Sequence, residues 1–311
     1  MNVVLLGFNG QIGNAILYKL KKLKKIKIIC VGRNNVPKFS DTNIKYIKWD
    51  FVTFKTEKLK FLNNANIIIN CVGKNYDTST KLHYINVLFV ESLLKYISIK
   101  KLNLRLIHLS SISVYGVNYK YLFKNIYINE SFLEAPNDLY STTKLKADNL
   151  IKKKNLYNQN NFSYTILRVS NVIGLDKDSN LFRLVFFLLK RGIWIKCSNK
   201  TLYNFIHVND VARAVILTIN NLKVSRNKIY ITSNDENQKK VYEIFAYNNK
   251  IKLIAISIPL QLIKFICNYF IMPKKIVNFF LTVSSQVSYS SSKLKKELGF
   301  KPKYYLKNKI L

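Results

Sequence analysis

Residues 1–23, "MNVVLLGFNGQIGNAILYKLKKL", set the course of the chain. Val3, Val4, Leu5 and Leu6 form an apolar run that suits a short buried strand. Ile16, Leu17 and Leu20 follow at helical spacing, with lysines on the other face. Gly7, Gly10 and Gly13 therefore fall in a strand-to-helix turn, where a backbone without Cβ can approach a ligand closely. The first N–H groups of the helix would face that ligand and favour an anion such as a pyrophosphate. The spacing is G-x-x-G-x-x-G rather than G-x-G-x-x-G, so the turn alone also fits a tight bend whose glycines only permit positive φ.

Further along, apolar runs recur at 27–31, 67–72, 105–109 and 164–169, with amphipathic segments such as 81–97 between them. Strands alternating with helices predict parallel βαβ units in a doubly wound α/β sheet. Ligands of such sheets bind at the carboxyl ends of the strands, and Gly7, Arg33, Asp50, Gly73, Ser111 and Asn171 each follow an apolar run. Past about residue 170 the alternation breaks up, although 207–221 reads as a helix and 228–232 as a strand. Residues 251–272, "IKLIAISIPLQLIKFICNYFIM", are apolar but interrupted by Pro259, Gln261, Lys264 and Asn268. The spacing of the last three puts them on one helical face and predicts an amphipathic helix in the core of a second lobe. A transmembrane span is not expected there, while peripheral membrane contact stays open.

The 311 residues carry 51 basic and 16 acidic side chains, a formal charge of +35. Such a balance raises nucleic acid or an anionic membrane as partners. Arginine, which reads phosphate and guanine bidentately, occurs only at 33, 105, 168, 183, 191, 213 and 226. The excess is lysine, alongside Asn, Ile, Tyr and Phe, residues that share A/T-rich codons; base composition accounts for the charge without a partner, and nucleic acid is not expected. Cys30, Cys71, Cys197 and Cys267 lie far apart, with neither metal nor disulfide spacing. They read as free thiols in a reducing compartment, and with no leader pattern ahead of the first strand a cytoplasmic location is expected.

The chemistry concentrates mid-chain. "LIHLSSISVYG" (106–116) is a strand that ends in hydroxyls, and "YSTTK" (140–144) follows within a predicted helix. Tyr140 and Lys144 are four residues apart and share a face. A phenol titrates near pH ~10, and a neighbouring ammonium favours the phenolate. The pair would form a general acid/base for a proton on a sugar or alcohol oxygen, with a serine hydroxyl holding that oxygen during hydride transfer. Taken alone, Y-x-x-x-K also describes a solvated helix face.

Together these motifs resemble the extended short-chain dehydrogenase/reductases, the NAD-dependent epimerase/dehydratase family, over nearly the whole chain. The resemblance rests on Gly7-x-x-Gly10-x-x-Gly13, Asp50 in "KWDF", "NCVG" at 70–73 and Asn86 in "YINVLFVESLL". It continues through "SSISVYG", Tyr140-x-x-x-Lys144, "LRVSNVIG" at 167–174, "NFIHVNDVARAV" at 204–215 and "SSKLKKELGFKP" at 291–302. It implies a Rossmann-type doubly wound parallel sheet with a smaller C-terminal α/β substrate lobe. The dinucleotide-binding domain would span 1–170, with 205–234 returning to it, and 171–204 with 235–311 would form the lobe. Ser111, Tyr140 and Lys144 would be catalytic, with Ser110 and Ser113 as supporting hydroxyls. Gly7, Gly10, Gln11, Ile12 and Gly13 would surround the pyrophosphate of NAD(P), and Arg33, Asp50, Gly73, Tyr140 and Lys144 would complete the cofactor site. Ser111 and Asn171 would touch the substrate; His207 would be structural, and no metal is implied.

Three departures from the family pattern shape the expected activity. Arg33 stands where an acid would hold the ribose of NAD, and an arginine there can accommodate the 2′-phosphate of NADP. This leans slightly toward NADP(H); a solvated Arg33 in an NAD enzyme is the other reading. Family dehydratases carry Asp-Glu after the catalytic Ser/Thr, whereas this chain has Ile112 and Ser113, which disfavours dehydration. The expected activity is epimerisation or 4-keto reduction of a nucleotide-activated sugar, with a homodimer left open. Tyr203 replaces an arginine that grips the diphosphate in many nucleotide-sugar epimerases; Arg183, Arg191 or nearby lysines could compensate, and otherwise the substrate would not be a nucleotide sugar. A 3β-hydroxysteroid-dehydrogenase-like oxidoreductase and a non-catalytic NAD(P)-binding protein are the alternatives.

Overall fold

The structure, a computed structural model, describes residues 1–33, 42–51, 56–75, 77–116, 124–157, 161–174, 185, 187–269, 276, 279–280 and 283–303. The chain begins with β1 (Asn2–Leu6), passes through Gly7 into α1 (Gln11–Leu20), and continues as β2 (Lys27–Gly32), β3 (Ile44–Lys48) and β4 (Ile67–Asn70). A helical rod follows: α2 (Ser79–His83), a π-helical turn at Tyr84–Leu88, and α3 (Phe89–Ile99). Next come β5 (Leu104–Ser111), β6 (Ile126–Ile128), α4 (Leu139–Tyr157), β7 (Phe162–Val169), β8 (Asn171–Ile173) and β9 (Ile193–Lys196). After these run β10 (Leu202–His207), α5 (Val208–Asn220), β11 (Lys228–Thr232), β12 (Asn234–Asn237) and α6 (Gln238–Asn249). The last described elements are β13 (Ile254–Ser257), α7 (Leu260–Tyr269), β14 (Val287–Tyr289) and α8 (Ser292–Leu298).

Seven strands pair in the order β3–β2–β1–β4–β5–β7–β11, every pair parallel. Val3 and Leu5 pack with α1 and α5 on one face, and Val4 and Leu6 with α3 and α4 on the other. Both faces are covered, which is why β1 reads as an unbroken apolar run and not as an alternation. The strand order reverses beside β1, where β2 lies on one side and β4 on the other. Ligands of doubly wound sheets bind in the crevice at such a switch point.

The remaining strands form smaller sheets: β12–β10–β8, β13–β9 and β14–β6. Tyr203, Phe205, Tyr242 and Phe245 build a separate apolar cluster there. The segment 251–272 differs from the expected single helix. Ile254–Ser257 is the strand β13, and the helix starts only at Leu260. Pro259 is the reason: proline lacks an N–H and is tolerated only around a helix start, and its carbonyl accepts the N–H groups of Leu262 and Ile263. Leu262 and Phe265 are exposed while Ile263 is buried, so α7 is a surface helix with one inserted side chain. The side chains of Lys264 and Asn268 lie outside the described residues.

Among the described residues, Ser79–Ile99 is the one helix long and apolar enough to cross a membrane, and more than half of it is buried in the core. Cys30, Cys71 and Cys197 are free, and burial raises all three thiols, the first two to about 12 and the third to about 11. The side chain of Cys267 lies outside the described residues.

Candidate functional site

The three glycines of the first turn have three different physical reasons. Gly7 has a φ of 80° and donates its N–H to the Val31 carbonyl at 2.8 Å; only glycine adopts that conformation without strain. A Cβ on Gly13 would lie 2.2 Å from the Gly7 carbonyl oxygen, so α1 is pressed directly onto the turn. Gly10 is different, because a Cβ there would meet only the Gly7 oxygen at 3.4 Å. Among the described residues, its chain neighbours apart, no other atom lies within 4 Å of that Cβ position. No side chain caps α1 and no acid sits in its first turn, so its first N–H groups remain available to an anion. Gln11, the first residue of α1, has a buried Nε2 without a hydrogen-bond partner among the described residues. Ile12 packs against the core below.

Ser111 closes β5 and starts a 3₁₀ turn, where its Oγ accepts the Ser113 N–H at 3.2 Å. That contact orients the side chain, and its hydroxyl lies within hydrogen-bonding reach of the Tyr140 phenol. Tyr140 and Lys144 sit one turn apart near the start of α4. The carboxylate of Asp138 holds that start by accepting the Ser141 N–H at 2.7 Å. Lys144 is 4% exposed, and its Nζ donates to the Leu109 carbonyl at 2.6 Å. Gly73 faces it, since a Cβ on that residue would lie 3.5 Å from Nζ. The hydroxyls of Ser110 and Ser113 are buried without a partner among the described residues.

The electrostatics of the trio differ from the expectation. Burial lowers Lys144 to about 8, against the opposing pull of Asp148. Burial also raises the Tyr140 phenol; the Ser111 hydrogen bond opposes that shift, and Asp138 and Asp148 add to it. The net shift of Tyr140 is therefore upward rather than the expected lowering, because burial is the largest effect on it. In this geometry the phenol is a protonated acid at neutral pH.

Asn86, 2% exposed, occupies the π turn. Its Oδ1 accepts the Lys74 N–H at 2.9 Å, and its Nδ2 donates to the Lys74 carbonyl at 2.9 Å and to Thr143 Oγ1 at 3.0 Å. It thus clamps the loop after Gly73 to α4 beside Lys144. A π turn inserts a residue into the helix and re-aims its side chains, here turning one amide inward in an apolar rod. In the sequence Asn86 stood out as part of the motif "YINVLFVESLL", but its clamp on the Lys74 backbone did not.

Arg33 and Asp50 are exposed just beyond the carboxyl ends of β2 and β3. Asn171, on β8, donates its Nδ2 to the Asn204 carbonyl at 2.9 Å and so ties β8 to β10. Tyr203 is 1% exposed; its hydroxyl bonds that of Tyr242 and accepts from Gln238 Nε2 at 3.0 Å. That position belongs to the core, so no side chain reaches a ligand from it. Arg191 stacks over the Phe187 ring at 3.6 Å, and Arg183 lies outside the described residues. His207 caps α5, its Nδ1 accepting the Asn209 N–H at 3.1 Å. No group of metal-ligating side chains occurs among the described residues.

A seven-stranded doubly wound sheet with a glycine turn at its switch point defines a Rossmann-like α/β fold. The family model of the NAD dependent epimerase/dehydratase family matches residues 3–231, and the chain belongs to that family of enzymes. Its fold is similar to that of UDP-glucuronic acid 4-epimerase from Bacillus cereus in complex with NAD, at 15% identity and a TM-score of 0.74, over 99% of this chain and 95% of that one. MoeE5 in complex with UDP-glucuronic acid and NAD is similar at 20% identity and a TM-score of 0.73, over 99% and 95%. dTDP-glucose 4,6-dehydratase from Bacillus anthracis str. Ames in complex with NAD is similar at 20% identity and 0.72, over 99% and 93%. No curated protein matches the chain in sequence.

Proposed function

We propose that the chain is an NAD(P)-dependent epimerase or 4-ketoreductase acting on a nucleotide-activated sugar. The observation that carries this reading is the Ser111 hydroxyl within reach of the Tyr140 phenol, beside a buried Lys144, at the carboxyl edge of the sheet. The glycine turn fits a dinucleotide: open ground at Gly10, an uncapped α1 and an unpartnered Gln11 Nε2 all suit a pyrophosphate. Bound there, NAD(P) supplies the hydride donor or acceptor. Arg33, exposed just past the end of β2, would be available to a 2′-phosphate, which leans the preference toward NADP(H).

Ser111 holds the reacting oxygen of the sugar. Tyr140 moves the proton, giving it to a carbonyl oxygen that becomes an alcohol and taking it back in the reverse direction. Lys144 stabilises the negative charge on the phenol oxygen while the proton is away. Elimination of water is disfavoured, because Ile112 is buried and Ser113 offers only a hydroxyl where dehydratases keep a pair of acids. Segments 171–204 and 235–311 would seat the nucleotide sugar, a reading supported by the UDP-glucuronic acid held in MoeE5. The core position of Tyr203 favours a second reading, an oxidoreductase on a substrate without a diphosphate.

Purified protein supplied with NAD or NADP and a panel of nucleoside-diphosphate sugars and 4-keto sugars, with products followed by mass and NMR, tests this. Inversion or reduction of one sugar is expected. Turnover of a hydrophobic alcohol with no turnover of any sugar would replace this reading with the second.

A further inference from the structure

Behind Lys144 lies a buried polar chain for which the reaction above has no use. Asn70 Oδ1 accepts the Val72 N–H at 3.0 Å, so its Nδ2 is the group that donates to His108 Nδ1 at 3.2 Å. His108 therefore carries its proton on Nε2, and that nitrogen faces Asp148 Oδ1 at 3.9 Å. Burial, with the Lys144 charge adding, lowers His108 well below its ordinary value, so the ring is neutral. Asp148 is 0% exposed and lies one turn beyond Lys144 on α4. Its Oδ2 accepts from Arg168 Nε at 3.2 Å, and Arg168, also 0% exposed, donates in addition to the Tyr115 hydroxyl at 2.9 Å and to Glu134. Asp148 Oδ1 has no hydrogen-bond partner among the described residues.

Burying a carboxylate or an ammonium strips it of hydration, a cost offset only where it finds an opposite charge and hydrogen bonds. Among the described residues, the hydrogen-bond acceptor of Lys144 is a neutral carbonyl, that of Leu109. Tyr140 lies one turn before it and Asp148 one turn after it on α4. Asp148 and Cys71, at the end of β4, act on its charge through space rather than as a contact pair, and its charge acts on neutral His108 from β5. Arg168 on β7, with Tyr115, Glu134 and Lys152 beyond it, surrounds the far side of Asp148. We propose that Asp148 is the counter-ion of Lys144, a positioning residue that keeps the ammonium charged beside the reacting phenol, and that Arg168 holds Asp148 ionised for that role. This rests on the reading of Tyr140 and Lys144 given above. Burial raises Asp148, a rise opposed by Arg168, the Ser110 hydroxyl and Lys144, and burial lowers Lys144, a fall opposed by Asp148.

Asp148→Asn keeps the shape and can still accept from Arg168, but it removes the charge. In the reductive direction Tyr140 starts protonated, so the alkaline limb of the pH–rate profile reports loss of the Lys144 proton. Without Asp148 that limb should move to lower pH by about 1–3 units, while KM changes little; Asp148→Glu should restore the parental limb. A uniform fall in turnover with the limb unmoved would mean a purely structural role and overturn the proposal. Should Asp148→Asn fail to fold, the parent protein still decides the matter. With only 16 acidic residues, the labelled carboxyl resonance of Asp148 can be followed directly, and it should be ionised and show a step near pH 8 as Lys144 titrates. A resonance flat through that range would overturn it too. If Lys144→Met and Tyr140→Phe keep parental turnover, the reading of the site fails instead.

Discussion

In the proposed reaction Lys144 meets two opposing demands, since it would have to stay charged to assist a phenol and be buried to sit beside it. Burial brings it to about 8, so small changes around it decide its charge near neutrality. Arg33 is the opposite case, exposed at the end of β2. A charge-assisted contact to a 2′-phosphate contributes about 1.5–3 kcal/mol. Arg33→Ala should therefore lose roughly tenfold or more in NADP affinity and little in NAD affinity, as read by calorimetry. Equal losses for both cofactors would remove the basis for an NADP preference. At this scale the trio Ser111, Tyr140 and Lys144 was legible as residue types at a spacing. Its electrostatics were not, because the Leu109 carbonyl that holds Lys144 comes from another element.

The β1–α1 unit was legible because four apolar residues, a glycine turn and a 3.6-residue period all point to the same structure. β3 and β12 were not: "IKYIK" is half charged and "NDEN" wholly polar, so neither offers an apolar run. The π turn at Tyr84–Leu88 left no trace in the sequence, because one added residue barely disturbs the amphipathic period of the segment around it. The glycine turn separates stability from binding within one element. Gly13→Ala would force a Cβ to 2.2 Å from the Gly7 oxygen and should destabilise the fold by about 1–3 kcal/mol, as overpacking does. Gly10→Val meets no such clash at its Cβ, so it should melt near the parent while losing cofactor affinity. A Gly10→Val protein that binds NAD and NADP like the parent would contradict the cradle.

Across the whole molecule, the net charge of +35 is easier to place once the acids are located. Asp148 and Glu134 are committed to Arg168, Asp210 to Arg213, and Glu297 to Lys228. With so many of its few carboxylates engaged in pairs, the protein presents a strongly cationic field. Such a field raises the local concentration of anionic ligands, including a nucleoside diphosphate, and it weakens with salt. Composition alone left this charge without a location, whereas the alternation of strands and helices set out the main sheet. The small sheets were not legible in advance, because their pairs join segments far apart in the chain, such as Val287–Tyr289 with Ile126–Ile128.

The central claim is that Tyr140 carries the proton in a reaction on a nucleotide-activated sugar. Tyr140→Phe removes one hydroxyl and keeps the ring, so it isolates that role. With a verified substrate, cofactor affinity should stay near the parent's while turnover falls by about 10²–10⁴-fold, as for loss of a general acid/base. Turnover at the parental rate in the folded variant would contradict the account.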